Sequence, residues 1–263
     1  MARIVFLCIF CSLVYSWVAG TLLHQLQQPV LRYPYVDLTY WIMHWLQLPE
    51  FITGHFIVAC IIDAALFITC IVSFLDPAKR LFIVLFIVLY FIYYITFNTY
   101  GTHHSGHKMG MLLIAVPFVV ANITSFNYLW QGLRYFMLFG FSCAFLYKLF
   151  RLSWLHPDQG MLIMKRNLAG YLYFNPDTGW ADMYRWFLSH PQLVNAMMIV
   201  GFLLEGTFMV GFFTKKYDRW LLLIFVLLVV GFWLMADAHF FELLVLGLPL
   251  VNFKRFFSKW HLP

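Results

Sequence analysis

The side chains of this sequence that can do chemistry gather in a few places. Between residues 98 and 108 the chain reads Asn-Thr-Tyr-Gly-Thr-His-His-Ser-Gly-His-Lys, which puts His103, His104 and His107 in one short polar stretch. Imidazole titrates near neutral pH and both moves protons and ligates metals, so this spacing suits zinc or copper as well as proton transfer. No carboxylate or thiol stands in the stretch to complete a ligand set. The expected use is therefore proton transfer or a hydrogen bond to a ligand, with no metal. His239 opens a later apolar run two residues after Asp237, whose carboxylate can orient that imidazole. Lys148 and Arg151 close another apolar run. Such cations snorkel toward lipid headgroups, or a desolvated lysine becomes neutral and serves as a base. Trp180 and Asp182 follow in the next connection, near enough to supply a ring and a counter-charge. Asp63 and Glu205 stand within apolar runs, where an ionised carboxylate costs roughly 2.5–3.5 kcal/mol at the centre of a bilayer. Each must face other helices, as a proton relay or ligand contact, or as an acceptor that ties helices together.

The elements that position these residues are set by composition. Of 263 residues, 63% are hydrophobic and 11% charged, against about 45–50% apolar and 25% charged in a soluble domain. The excess apolar surface must meet lipid. A spanning helix needs about 20 apolar residues, and eight candidate runs are present: Ala2 to Leu23, His55 to Leu75, Leu81 to Phe97, Lys108 to Ser125, Gln131 to Phe150, Leu193 to Phe213, Trp220 to Met235 and His239 to Phe253. Arg3 and the small pair Ala19-Gly20 also fit a signal peptide around the first run, but its length favours a retained anchor. The five cysteines lie inside apolar runs and are odd in number, so no disulfide framework is expected. The net charge of +6 reads as an orientation signal and an attraction to anionic lipid rather than as a nucleic-acid footprint.

Two long connections, Gln25 to Gly54 and Arg151 to Gln192, mix aromatic, polar and proline residues. Both are expected to lie in the interface as short amphipathic helices, Gly160 to Phe174 among them. The two halves then repeat one order. His44-Trp45-Leu46 before Pro49, a run bearing Asp63, a basic turn at Lys79-Arg80, and His107 ten residues before Pro117 have counterparts in the other half. These are Arg185-Trp186-Phe187 before Pro191, a run bearing Glu205, a basic turn at Lys215-Lys216 and Arg219, and His239 ten residues before Pro249. The fold class expected is an all-α membrane protein of about eight helices, built as two parallel four-helix repeats, 1–127 and 128–263, with two interfacial connections on the outer face. Basic residues in the short loops favour cytoplasmic termini. That orientation places every histidine except His261 on or near the outer side, and fits a bacterial inner membrane.

Three stretches resemble the horizontally transferred transmembrane domain, the membrane part of vitamin K-dependent gamma-carboxylase, and more loosely the DoxX-like four-helix proteins. They are Thr102-His103-His104-Ser105 leading into Gly110-Met111-Leu112, Asp177-Thr-Gly-Trp180 through Tyr184-Arg-Trp-Phe187, and Leu204-Glu205-Gly206 with His239 through Pro249. The resemblance implies a site at the luminal or periplasmic end and a quinone as cofactor or ligand. It also implies a base after the fifth span, met here by Arg151 in register and by Lys148 in residue type. Peptide carboxylation itself is not expected. The function expected is an outward-facing polar cavity for a lipid-soluble ligand, with quinone-linked redox, carboxylase-like or proton-transfer chemistry. Two rival readings stand beside it: a non-enzymatic scaffold in a membrane complex with periplasmic partners, and a transporter of small solutes or lipids.

Overall fold

A computed structural model describes residues 1–26, 38–100, 108–236 and 240–251. Among these the chain is helical and forms no strand. Eleven α-helices follow one another: α1 (Ala2–Val18), α2 (Leu38–Trp45), α3 (Leu48–Gly54), α4 (Phe56–Leu75), α5 (Arg80–Tyr100), α6 (Met109–Ala115), α7 (Ile123–Arg151), α8 (Gln159–Phe174), α9 (Gly179–Leu188), α10 (Pro191–Thr207) and α11 (Asp218–Ala236). Among the described residues six stretches are long and apolar enough to cross a membrane: Ala2–Gln25, Phe56–Leu75, Arg80–Thr99, Ile123–Arg151, Pro191–Phe212 and Asp218–Met235. The chain is an all-α membrane protein.

Among the described residues the expected fourth and eighth runs hold no single long helix. Residues of the fourth form α6 and a 3-10 turn, Val116–Val119, while the end of that run already belongs to α7. Of the eighth, Phe241–Leu250 forms a 3-10 helix. These pieces span only about 18–20 Å, against the roughly 30 Å of a bilayer core. Proline is the cause. Pro117 and Pro249 each remove a backbone donor, and the chain turns extended soon after, at Val120 and Val251.

The chain divides into two compact units, Met1–Gln131 and Gly132–Pro263, with the boundary inside α7. In unit 1, α4 buries Ala59, Asp63, Leu66, Cys70 and Ser73, and α5 buries Ile83, Phe86, Tyr90, Tyr93 and Phe97. Both sets recur every three and four residues, which makes one stripe per helix. The opposite stripe of α4 is Ile57, Ile61, Ile68 and Leu75, apolar yet exposed, the pattern of a helix whose outer face meets lipid. In unit 2, Leu138, Phe208, Leu221, Phe225 and Leu228 form the core. Helices approach closely there at glycine. A Cβ on Gly206 would come 2.8 Å from the ring of Phe145, and one on Gly211 2.5 Å from Leu138, as expected where packing rather than water exclusion drives association.

Each unit enters its second long helix through the same device. His55 caps α4, its Nδ1–H donates to the carbonyl of Phe51 at 2.7 Å, and the two rings lie 4.5 Å apart at 35°. His190 caps α10, donates to the carbonyl of Trp186 at 2.7 Å, and stacks on it at 4.5 Å and 35°. The expected register matched Trp45 with Trp186; the local structure instead matches Phe51 with Trp186.

Candidate functional site

The buried acid of unit 1 is held by backbone. Asp63 accepts from the N–H of Leu23 at 3.2 Å and of His24 at 2.9 Å, and its Oδ2 lies 2.7 Å from His24 Nδ1. The carboxylate thus satisfies N–H groups of the 3-10 turn Leu23–Gln25 that have no carbonyl partner. Asp63 ties the end of α1 to α4. Nearby in the sequence order of this unit, Lys108 is 5% exposed, donates to Ser16 Oγ at 2.9 Å, and lies 4.5 Å from the Phe97 ring centre and 5.3 Å from that of Tyr93. It is a buried cation in an aromatic setting.

The buried acid of unit 2 is held differently. Lys148, near the end of α7, places Nζ 2.5 Å from Glu205 Oε1 and 2.6 Å from Oε2. The Glu205 side chain is 3% exposed and that of Lys148 39%. A carboxylate enclosed in this way is costly unless its charge is met, and the Lys148 ammonium in contact meets it. Unlike Asp63, Glu205 has a partner that is a flexible side chain reaching to the surface.

That pair lines a cavity of about 870 Å³ lying within unit 2. Its wall is drawn from four helices and the turn after α7. Tyr147, Lys148 and Arg151 come from α7 and Trp154 from the turn, with Gln159, Gly160, Ile163 and Met164 from α8. Leu193 through Glu205 on α10 and Leu227 through Met235 on α11 complete it. From Leu193 to Glu205 the lining runs about 18 Å along the helix axis. Most of it is apolar, with Phe202, Leu228, Phe232 and three methionines of α10 and α11, Met197, Met198 and Met235, side chains that adapt to irregular shapes. Gly201 and Gly231 leave space, since a Cβ on either would meet nothing within 4 Å. Arg151 lies over the ring of Tyr147, 5.3 Å from its centre.

Of the residues expected in a site, Lys148, Arg151 and Glu205 come together here. Asp63 belongs to the other unit. Trp180 packs on Trp233 at 5.2 Å, and Asp182 pairs with Arg185 at 2.9 Å on an exposed face; neither lines the cavity. His104, His107, Asp237 and His239 lie outside the described residues. Sequence reasoning did not foresee Gln159, Trp154 or the two glycines in the wall. Gly201 and Gly231 carried a signal, because glycine inside a helix is unfavourable unless space is needed.

The other end of the same helices is locked by Arg134, which is 1% exposed. Its Nε and Nη2 donate to the two oxygens of Asp218 at 2.9 and 2.6 Å, and Nη2 donates to the carbonyls of Gly211 and Thr214. This planar fork fixes the turn between α10 and α11, so the far end of the cavity helices is rigid.

No family model matches the chain, and neither a curated protein nor a solved structure matches it.

Proposed function

We propose that this membrane protein takes a lipid-soluble ligand from the bilayer into the cavity of unit 2, with the ligand's polar end at Lys148 and Glu205. The observation that carries this reading is an ion pair with an enclosed carboxylate and a partly open ammonium, set in the wall of a long apolar cavity. Cavities of roughly 300–1,000 Å³ with mostly apolar walls and a few convergent polar groups are the usual form of small-molecule sites. An acid at this depth is retained at a cost, and within membrane helices such groups mark ligand or proton pathways. Lys148 gives two N–H groups to Glu205 and can donate its third to an oxygen of the ligand's head. The motif resemblance to the gamma-carboxylase membrane domain supports a ligand site at the same end of α7.

In this reading the six long helices and the shorter passages that hold Pro117 and Pro249 give each unit four membrane segments. The paired entry devices at His55 and His190 support a repeat. The basic turns at Lys79-Arg80 and Lys215-Lys216 lie on the cytoplasmic side, as the charge bias of short loops favours, and the cavity's polar end lies toward the outer side. Helices α2, α3, α8 and α9 lie along the outer interface. Exposed Trp41, Trp45, Tyr173, Phe174 and Trp186 on them suit the headgroup level.

Native mass spectrometry of the protein released from a mild detergent tests the proposal. Wild type is expected to carry an amphiphile of defined mass, and a Gly201→Leu, Gly231→Leu double variant to have lost it. Equal retention of the same adduct by both proteins would overturn the assignment.

A further inference from the structure

We infer that the ligand of this cavity is a single-chain amphiphile with an anionic head, seated on Arg151 and Lys148. The inference deepens the cavity reading above and rests on it. Three charged side chains line the cavity, Lys148, Arg151 and Glu205. Both oxygens of Glu205 are taken by Lys148, and among the described residues no carboxylate is paired with Arg151. The cavity therefore holds one positive charge more than its negative charge. A guanidinium lying over a tyrosine ring keeps its N–H edges free to donate, and these match the two oxygens of a carboxylate or phosphate.

Trp154 stacks on Phe202 at 5.5 Å and 10° and adds aromatic surface to the same wall. The charged end of the wall carries more cation than anion, which favours an anionic head over a neutral one or a cation. Shape selects the rest. A cavity of about 870 Å³ lined by apolar residues along about 18 Å of α10 accommodates one extended chain, and its size falls in the range of small-molecule sites.

Matched probes separate head from tail. Palmitate and hexadecanol share a chain and differ in charge, and an isoprenoid quinone supplies a neutral, oxygen-bearing head. Binding of each to the purified, delipidated protein is read by native mass spectrometry. Palmitate is expected to bind about tenfold or more tightly than hexadecanol. Arg151→Gln should remove that advantage while leaving hexadecanol binding unchanged, and Arg151→Lys should keep most of it. If hexadecanol or the quinone binds as well as palmitate, or if Arg151→Gln weakens palmitate and hexadecanol alike, the anionic head is wrong although the cavity stands. If none of the three binds, or if Gly201→Leu leaves their binding untouched, the cavity reading has failed and this inference falls with it.

Discussion

Lys148 and Glu205, 57 residues apart in the chain, meet so that one ammonium nitrogen touches both carboxylate oxygens at 2.5 and 2.6 Å. The acid is enclosed and the base partly open. Loss of either partner is therefore unequal in effect. Lys148→Met leaves a buried carboxylate with no cation and is expected to destabilise the protein by about 1–3 kcal/mol, below the usual cost of breaking a fully buried pair because Lys148 is partly solvated. Adding Glu205→Gln should recover part of that loss. Thermal unfolding of the single and double variants in one detergent checks the order.

Asp63 is bound by two backbone N–H groups and an imidazole, which is structural work. Asp63→Asn keeps one acceptor oxygen and presents an amide where an acceptor stood. A loss of about 1–3 kcal/mol is expected, with amphiphile retention unchanged. Loss of the bound amphiphile at full stability would instead make Asp63 a ligand contact.

Two glycines one and a half turns apart on α10 should respond with opposite signs. A Cβ at Gly201 meets nothing, whereas a Cβ at Gly206 meets the Phe145 ring at 2.8 Å. Gly201→Ala is expected to stabilise by up to about 1 kcal/mol through helix propensity. Gly206→Ala is expected to cost about 1–3 kcal/mol by overpacking. Melting temperatures of the two variants decide it.

Orientation is checked by cysteine labelling in intact cells and in inverted vesicles, with the native cysteines replaced. A cysteine in place of Lys79 or Lys216 is expected to react only in inverted vesicles, and one in place of Tyr173 only from outside. The reverse pattern would place the cavity's polar end in the cytoplasm.

Much of the fold was legible in the sequence because lipid imposes a simple rule. Runs such as Phe56–Leu75 and Asp218–Met235 are apolar on every side, and such runs form helices wherever backbone groups cannot meet water. The fourth and eighth runs hold shorter helical pieces than their apolar content suggests, since that content is blind to where proline ends a helix, and Pro117 and Pro249 do so. The site was legible in part. Glu205 and Lys148 each stood out by type, since a charge in an apolar run needs a partner, but their pairing depends on how α7 meets α10. No spacing within either helix reveals that contact. Asp63 looked like the counterpart of Glu205, yet it lies eight residues after its helix cap and Glu205 fifteen, so the two acids stand at different positions along their helices and meet different partners.

The most direct test uses an alkyl amphiphile carrying a photoreactive diazirine near the end of its chain, incorporated with the wild-type protein into a lipid nanodisc and activated by light. Peptide mapping is expected to find the label on cavity-wall residues of α10 and α11, such as Met197, Phe202, Leu228 or Phe232, and to find it lost from them in the Gly201→Leu, Gly231→Leu variant. Label confined to exposed residues outside the cavity, such as Leu203 and Leu223, and equal in both proteins, would show the amphiphile to be bulk lipid and contradict the account.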